Sequence, residues 1–306
     1  MNLKSLLLIP CFILLFAAVV SATTVTDSEK KTLDFAKPFQ RIISLYPAHT
    51  TNLVELGLDK ELIACGPSDT LLPKLPRVQF QDDPERLLAL KPDLVLIRPM
   101  VSRAYPNLVR TLEKNNVRVV SLQPTDIADL FAYWEILGKL TGREQQAKAM
   151  VETFGKRMAK ITASLQQIPQ TKRKQVYFEA IHKQMKTFAS TSMAMFVLES
   201  AGGINIAADA ERMRETNIAA YGKERILAKA GQIDFYLAQN GRMNPVSVDD
   251  IIKEPGFSVI KAVRNRQVFL VDEEMVSRPT MGLLDGIAFV RSLLYPDFDQ
   301  EGVSSL

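Results

Sequence analysis

Residues 125–169 read TDIADLFAYWEILGKLTGREQQAKAMVETFGKRMAKITASLQQIP, and the reading of this stretch decides the fold. Apolar residues fall at Ile127, Leu130, Phe131, Trp134, Ile136 and Leu137, and again at Ala147, Met150, Val151, Phe154, Met158 and Ile161. That spacing is helical rather than alternating. Thr125-Asp126, after Pro124, supplies the short polar side chains that cap helix starts, and Pro169 stops the run. Thr141-Gly142 predicts a break into two helices, the second running from Arg143 to about Gln167. At ~1.5 Å rise per residue this second helix spans roughly 37 Å. Strand-bearing sequence lies on both sides of it. The helix therefore reads as a stiff spine (126–169) between an N-terminal lobe (40–125) and a C-terminal lobe (170–298).

The chain opens MNLKSLLLIPCFILLFAAVVSA. Lys4 gives a positive start, Leu6 to Val20 an apolar run and Val20-Ser21-Ala22 a small-residue cleavage site, so residues 1–22 are expected to be a signal peptide cut near Ala22. The run is short and holds Pro10, which argues against a membrane span. Cys11 follows Pro10 inside that run, an unfavourable setting for lipid attachment. The expectation is an exported, periplasmic, monomeric protein. Beyond Ala22 only Cys65 remains, so no intrachain disulfide forms and the fold relies on its core. A formal charge of +4, or +3 once Lys4 is removed, is too mild to imply nucleic acid.

Strands alternate with helices before the spine. Arg41–Leu45, Leu62–Cys65, Leu94–Ile97 and Val117–Leu122 read as strands, and Thr51–Leu56, Pro84–Leu90 and Tyr105–Asn115 as helices, with Thr23–Pro38 polar and loose. The pattern restarts at Gln175–Glu179, Phe235–Ala238 and Val268–Val271, with helices at Ser192–Ala201, Gly222–Lys229 and Gly282–Leu294. The fold class is α/β: two doubly wound lobes joined by one long backbone helix. An internal echo supports the two-lobe plan. Glu85-Arg86-Leu87-Leu88-Ala89 leads to Asp93 and a strand, and Glu224-Arg225-Ile226-Leu227-Ala228 leads to Asp234 and a strand.

Catalytic signatures are missing: no G-x-S-x-G, H-E-x-x-H, phosphate loop or G-x-G-x-x-G occurs. The two histidines, His49 and His182, belong to different lobes, which opposes a His-based catalytic set or closed zinc site. What remains is a ring of strand ends, where open parallel sheets collect ligands. They carry Tyr46 and His49, Arg98 and Met100, and Gln123 in the first lobe. The second offers Ile181, His182 and Met185, Gln239 and Arg242, and Arg278 and Met281. Tyr46, His49, Arg98, Met100, His182, Met185 and Arg278 are the candidate ligand contacts. A cleft of aromatic, thioether and cationic groups suits a large, partly apolar, anionic ligand. Each has a plainer role to weigh against it: a histidine bonded at a helix start, a methionine filling core, an arginine at an exposed rim. Glu85 and Glu224 each open a short helix, where the dipole stabilises an acid; as a pair they also suit a symmetric, arginine-bearing partner.

At this point the chain resembles the periplasmic binding proteins that deliver vitamin B12, ferric siderophores or haem to ABC importers. The resemblance covers about Gln40 to Pro296. It rests on RIISLYPAHTTNLVELGL (Arg41–Leu58), DPERLLALKPDLVLI (Asp83–Ile97), LESAGGINIAAD (Leu198–Asp209) and VSRPTMGLLDGIAFVRSLLYPDF (Val276–Phe298). It implies two lobes on a long helix, a metal chelate as ligand, no covalently bound cofactor and no resident metal. It also implies docking of Glu85 and Glu224 onto arginines of a permease dimer. Two departures stand out: Thr51-Asn52 where the family often has Thr-Glu, and Ile233-Asp234 where it usually has Pro-Asp. The only tryptophan, Trp134, lies on the spine rather than in the cleft, which weakens a B12 assignment. Two other readings stay open: an enzyme using Glu179, His182 and Tyr46 in the same cleft, and a sensor or scaffold that keeps Glu85 and Glu224 but has a filled cleft.

Overall fold

The structure, a computed structural model, describes residues 22–213 and 216–297. The expected signal peptide therefore lies outside the described residues but for Ala22. No described helix is long and apolar enough to cross a membrane.

The segment expected to be loose is an antiparallel hairpin, β1 (Thr23–Thr26) and β2 (Thr32–Phe35). Asp27 closes its turn, one carboxylate oxygen accepting from the backbone N–H of Glu29 and of Lys31, each at 2.9 Å. Buried Val25 fastens it to the core. Charge and polarity at the turn masked the short alternation of its strands.

The N-lobe follows as β3 (Ile42–Ser44), α1 (Pro47–Glu55), β4 (Leu62–Cys65), α2 (Pro84–Leu88), β5 (Leu94–Ile97), α3 (Pro99–Ala104), α4 (Pro106–Lys114) and β6 (Arg118–Ser121). Its four strands are all parallel in the order β4-β3-β5-β6. Every residue of β3 and β5 is buried, which is why both read as short uninterrupted runs rather than alternating ones. Because β4 lies on one side of β3 and β5 on the other, the winding reverses at the β3/β5 boundary.

The spine is an antiparallel helix pair, α5 (Ile127–Thr141) and α6 (Glu144–Leu165). Asp126 caps α5 by accepting from the Asp129 N–H. Gly142 ends it with φ 67°, a left-handed conformation that suits glycine, and a Cβ there would lie 2.8 Å from Pro38 Cγ. At 22 residues and ~1.5 Å per residue, α6 spans roughly 33 Å. It buries Ala147, Met150, Phe154 and Ile161. The Phe154 ring meets Trp134 of α5 edge-on at 5.6 Å.

The C-lobe contains β7 (Gln175–Ile181), β8 (Lys186–Phe188), α7 (Met193–Ser200), β9 (Ile204–Asn205), β10 (Glu211–Arg212), β11 (Ile218–Ala220), α8 (Lys223–Ala228), β12 (Phe235–Asn240), α9 (Val248–Lys253), α10 (Lys261–Arg264), β13 (Val268–Asp272), α11 (Glu273–Val276) and α12 (Leu283–Leu294). Phe154 of α6 stacks on Phe196 of α7, with centroids 6.2 Å apart, so one apolar core runs from the N-lobe through the spine into this lobe. β7, β12 and β13 are parallel neighbours, and β9 runs parallel to β7. β8, β11 and β10 extend the sheet antiparallel beyond β7.

The echo has a structural basis. Leu87 and Ile226 are fully buried, one in each lobe's own cluster. Arg86 and Arg225 each reach back to a backbone carbonyl earlier in the chain, Arg77 at 3.0 Å and Asp209 at 3.1 Å. Asp93 accepts from the Arg41 N–H at 2.9 Å and Asp234 from the Gln175 N–H at 2.9 Å, so each aspartate fixes the start of its lobe's first parallel strand. The Ile233 departure leaves this contact intact.

Candidate functional site

Ligands in wound sheets sit beyond the carboxyl ends of strands where the winding reverses. In the N-lobe that point lies between β3 and β5, and the residues that follow these strands bring Tyr46 and Arg98 together. The Arg98 guanidinium carbon lies 4.3 Å from the centre of the Tyr46 ring. Arg98 Nη2 is 3.3 Å from Met100 Sδ, and Met100 is 43% exposed. Three of the expected contacts thus form one cluster. Burial raises the Tyr46 hydroxyl pKa, while Arg98 and Arg278 pull it down and Glu273 pushes it up. Arg278 and Glu273 belong to the C-lobe, so charges of both lobes act on this hydroxyl.

His49 is not part of the exposed cluster. It is fully buried, with Nδ1 2.7 Å from the Tyr133 hydroxyl and Nε2 3.1 Å from the Ile97 carbonyl. A carbonyl only accepts, so Nε2 carries the proton and Nδ1 accepts from Tyr133. Burial drives its pKa down to about 3, keeping it neutral. The expected ligand contact is instead a structural histidine, because its position on α1 turns inward to α5.

Its neighbour Asn52 completes this network. Asn52 Oδ1 accepts from Trp134 Nε1 at 3.1 Å, and Nδ2 donates to the Tyr133 hydroxyl at 3.2 Å and to the Pro279 carbonyl at 2.9 Å. The departure at Thr51-Asn52 is therefore a buried bridge from α1 to the spine and on to the C-lobe. The sequence signalled it only as a polar residue out of pattern.

In the C-lobe the corresponding point lies between β7 and β12. A groove of about 550 Å³ opens there, lined by residues 181–184, 243–246, Asp250 and Glu254. His182 lines it, with Nδ1 2.9 Å from the Glu179 carboxylate and Nε2 3.8 Å from Glu254 Oε2. Glu179 is fully buried and also accepts from the Tyr236 hydroxyl. The Glu179 bond raises the His182 pKa against the opposing effect of burial. Glu254 is further tied to Lys223 at 2.6 Å. Met243, 46% exposed, edges the groove and was not singled out from sequence. Met185 does not line it: with φ 47°, it closes the turn after His182–Gln184 and packs against the C-lobe's own apolar cluster. The short turn into β8 swings the chain away from the groove.

Arg278 follows α11 of the C-lobe and is already engaged, 3.1 Å from Glu273 Oε1 and paired with Glu274. The enzyme reading needed Glu179, His182 and Tyr46 as one set. Glu179 and His182 do bond, but the hydroxyl on Glu179 is that of Tyr236, while Tyr46 stacks under Arg98 in the other lobe. No group of three His, Cys, Asp or Glu placed to hold a metal occurs among the described residues. A second hollow of about 420 Å³, between the hairpin and the α4–β6 edge, lies at neither switch point. Glu85 and Glu224 are exposed in the first turns of α2 and α8.

Two wound lobes joined by a helical spine match a known architecture. The model of the family described as "Periplasmic binding protein" matches residues 42–275. The chain belongs to the periplasmic binding protein family. Among its relatives, the uncharacterized ABC transporter substrate-binding lipoprotein YvrC of Bacillus subtilis is 23% identical over 291 residues, covering 92% of this chain and 88% of that protein. The vitamin B12-binding protein of Vibrio cholerae is 25% identical over 272 residues, covering 85% and 91%. A possible iron-binding periplasmic solute-binding protein from Staphylococcus epidermidis superposes with a TM-score of 0.71 at 26% identity, covering 85% of this chain and all of that one. The family fold is thus matched across both lobes and the spine.

Proposed function

We propose that this periplasmic binding protein captures a metal chelate between its lobes and presents it to the permease dimer of an ABC importer, without chemistry of its own. The observation that carries the reading is the stacking of Arg98 on Tyr46 at the N-lobe winding reversal, with the Pro279 carbonyl of the C-lobe bonded to Asn52 of the helix that follows Tyr46. Relatives named for ABC substrate binding, vitamin B12 and iron support the ligand class. The long α6 favours a small hinge motion, since bending a helix breaks its own hydrogen bonds. Glu85 and Glu224 are the proposed docking carboxylates, one per lobe, each exposed at the start of a short helix. The protein acts as an exported monomer in this reading.

Calorimetric titration of the purified protein with hemin, cyanocobalamin and ferric siderophores tests the function. Binding of one class in the micromolar range or tighter is expected, and binding of none rejects the reading. The absorbance spectrum of protein taken from its native host provides a second readout, because these ligands are coloured.

A further inference from the structure

A methionine sulfur is oxidised only where an oxidant reaches it. Met150, Met193 and Met195 are buried in the core that runs through the spine. Three methionines are exposed among the described residues: Met243 at 46%, Met100 at 43% and Met213 at 37%. Their settings differ. Met243 edges the C-lobe groove, where Ile181, Pro245 and Val246 supply the rest of the apolar lining. Its sulfur accepts no hydrogen bond among the described residues. Met100 Sδ accepts from Arg98 Nη2 at 3.3 Å, which draws on the lone pair that oxygen transfer needs. Met213 follows β10, the outermost strand of its sheet, and lines neither hollow. No thiolate competes with these sulfurs. Cys65, the only cysteine among the described residues, is fully buried, and burial pushes its pKa up to about 11, so it stays a thiol.

We propose that Met243 is a reversible oxidation site of the C-lobe groove: hydrogen peroxide converts it to the sulfoxide, and the polar sulfoxide weakens capture. The thioether lone pair attacks one peroxide oxygen, a sulfur–oxygen bond forms as the oxygen–oxygen bond breaks, and the second oxygen leaves as water after proton transfer. Sulfur loses two electrons and the peroxide gains them. A flexible apolar side chain becomes a polar, chiral one. A methionine sulfoxide reductase reverses the change, with a thiol as reductant and water as the leaving oxygen. The modification follows from exposure of the sulfur, whereas its effect on capture rests on the chelate-capture reading. An apolar chelate body that covers Met243 loses that contact when the side chain turns polar, which lowers affinity about tenfold.

The test treats the full-length mature protein, free of ligand, with hydrogen peroxide, quenches with free methionine and maps the peptides by mass spectrometry. The mass gain of one oxygen is expected first at Met243 and Met213, later at Met100, and last at Met150, Met193 and Met195. Arg98→Ala is expected to bring Met100 forward to the pace of Met243. Hemin, cyanocobalamin and a ferric tris-hydroxamate are then titrated by calorimetry, at the peroxide dose that converts Met243 and spares Met100. The probe that binds the untreated protein is expected to bind about tenfold more weakly after oxidation, and to recover after treatment with methionine sulfoxide reductases and dithiothreitol. Met243→Leu is expected to show one affinity before and after oxidation, and Met243→Gln to match the oxidised native protein without any oxidant. Met213→Leu is expected to lose affinity on oxidation as the native protein does. Full conversion of Met243 with no loss of affinity overturns the effect on capture, as does an equal loss in Met243→Leu. A Met243 that oxidises no faster than Met150 overturns the modification itself. If no probe binds the untreated protein, the chelate-capture reading falls and the effect on capture with it, while the mass map still decides the modification.

Discussion

Asn52 Nδ2 donates to the carbonyl oxygen of Pro279 at 2.9 Å, joining α1 of the N-lobe to the loop before α12 of the C-lobe across 227 residues of chain. Behind that bond stands a satisfied chain of Trp134, Tyr133, His49 and the Ile97 carbonyl. The contact between the two lobes is thus fixed by buried polar groups, while Tyr46, Arg98 and Met100 nearby stay half-buried or exposed. A satisfied buried network specifies one arrangement of the elements it joins, since any other strands a donor or acceptor.

Asn52→Ala removes both donors and the acceptor for Trp134 Nε1. The loss is expected to be about 1–3 kcal/mol, the usual cost of a buried polar group left unpaired. Urea unfolding followed by Trp134 fluorescence measures it directly, because Trp134 is the only tryptophan and is fully buried. An unchanged midpoint and slope would show that the bridge contributes nothing.

The two histidines are expected to oppose each other in their effect on acid stability. His49 has its pKa pushed down to about 3, so the unfolded chain binds the proton more readily. Its contribution falls as pH drops below the unfolded value of about 6.5, by about 1.4 kcal/mol per pH unit. Unfolding free energies from pH 7 to 4 should show a shallower decline in His49→Gln than in the native protein, after allowance for the constant cost of the lost bonds.

His182 has its pKa raised by the Glu179 bond. The stabilisation is therefore complete below the unfolded pKa and fades as pH rises through the folded one. His182→Leu leaves the buried Glu179 carboxylate with the Tyr236 hydroxyl as its remaining donor, and a loss of order 3 kcal/mol is expected at pH 5. The gap between variant and native protein should narrow toward pH 9; a gap of equal size at both pH values would contradict the titration argument.

Gly142→Ala combines a left-handed φ of 67° with a Cβ placed 2.8 Å from Pro38. The conformational part alone costs about 1–2 kcal/mol. A drop in thermal midpoint of several degrees is expected, with chelate binding retained at low temperature, since the contact lies on the spine and away from both switch points.

Glu85→Lys with Glu224→Lys is expected to abolish uptake in cells while leaving the calorimetric affinity for the chelate unchanged. Uptake that survives the double reversal, with the variant present at native levels, removes these two residues from the docking surface.

The sequence alone determined the elements and their order. The helical spacing of residues 127–161 with a break at Gly142, the uninterrupted apolar runs of β3 and β5, and the Glu-Arg-Leu/Ile-Leu-Ala echo are local signals, written in near neighbours along the chain. They place Tyr46, Arg98 and His182 just beyond strand ends, and the structure finds those strand ends at the two winding reversals. It was tertiary structure that decided which of the flagged residues are buried and which stay accessible. His49 and Arg98 look alike in sequence, each a cationic type near a strand end, yet one is buried against Tyr133 and the other stacks under partial exposure on Tyr46. Likewise Arg278 is ion-paired, because Glu273 and Glu274 lie on the short helix just before it, while no carboxylate pairs with Arg98 among the described residues. Burial and charge pairing depend on residues that are distant in the chain and adjacent in space, so no local pattern records them.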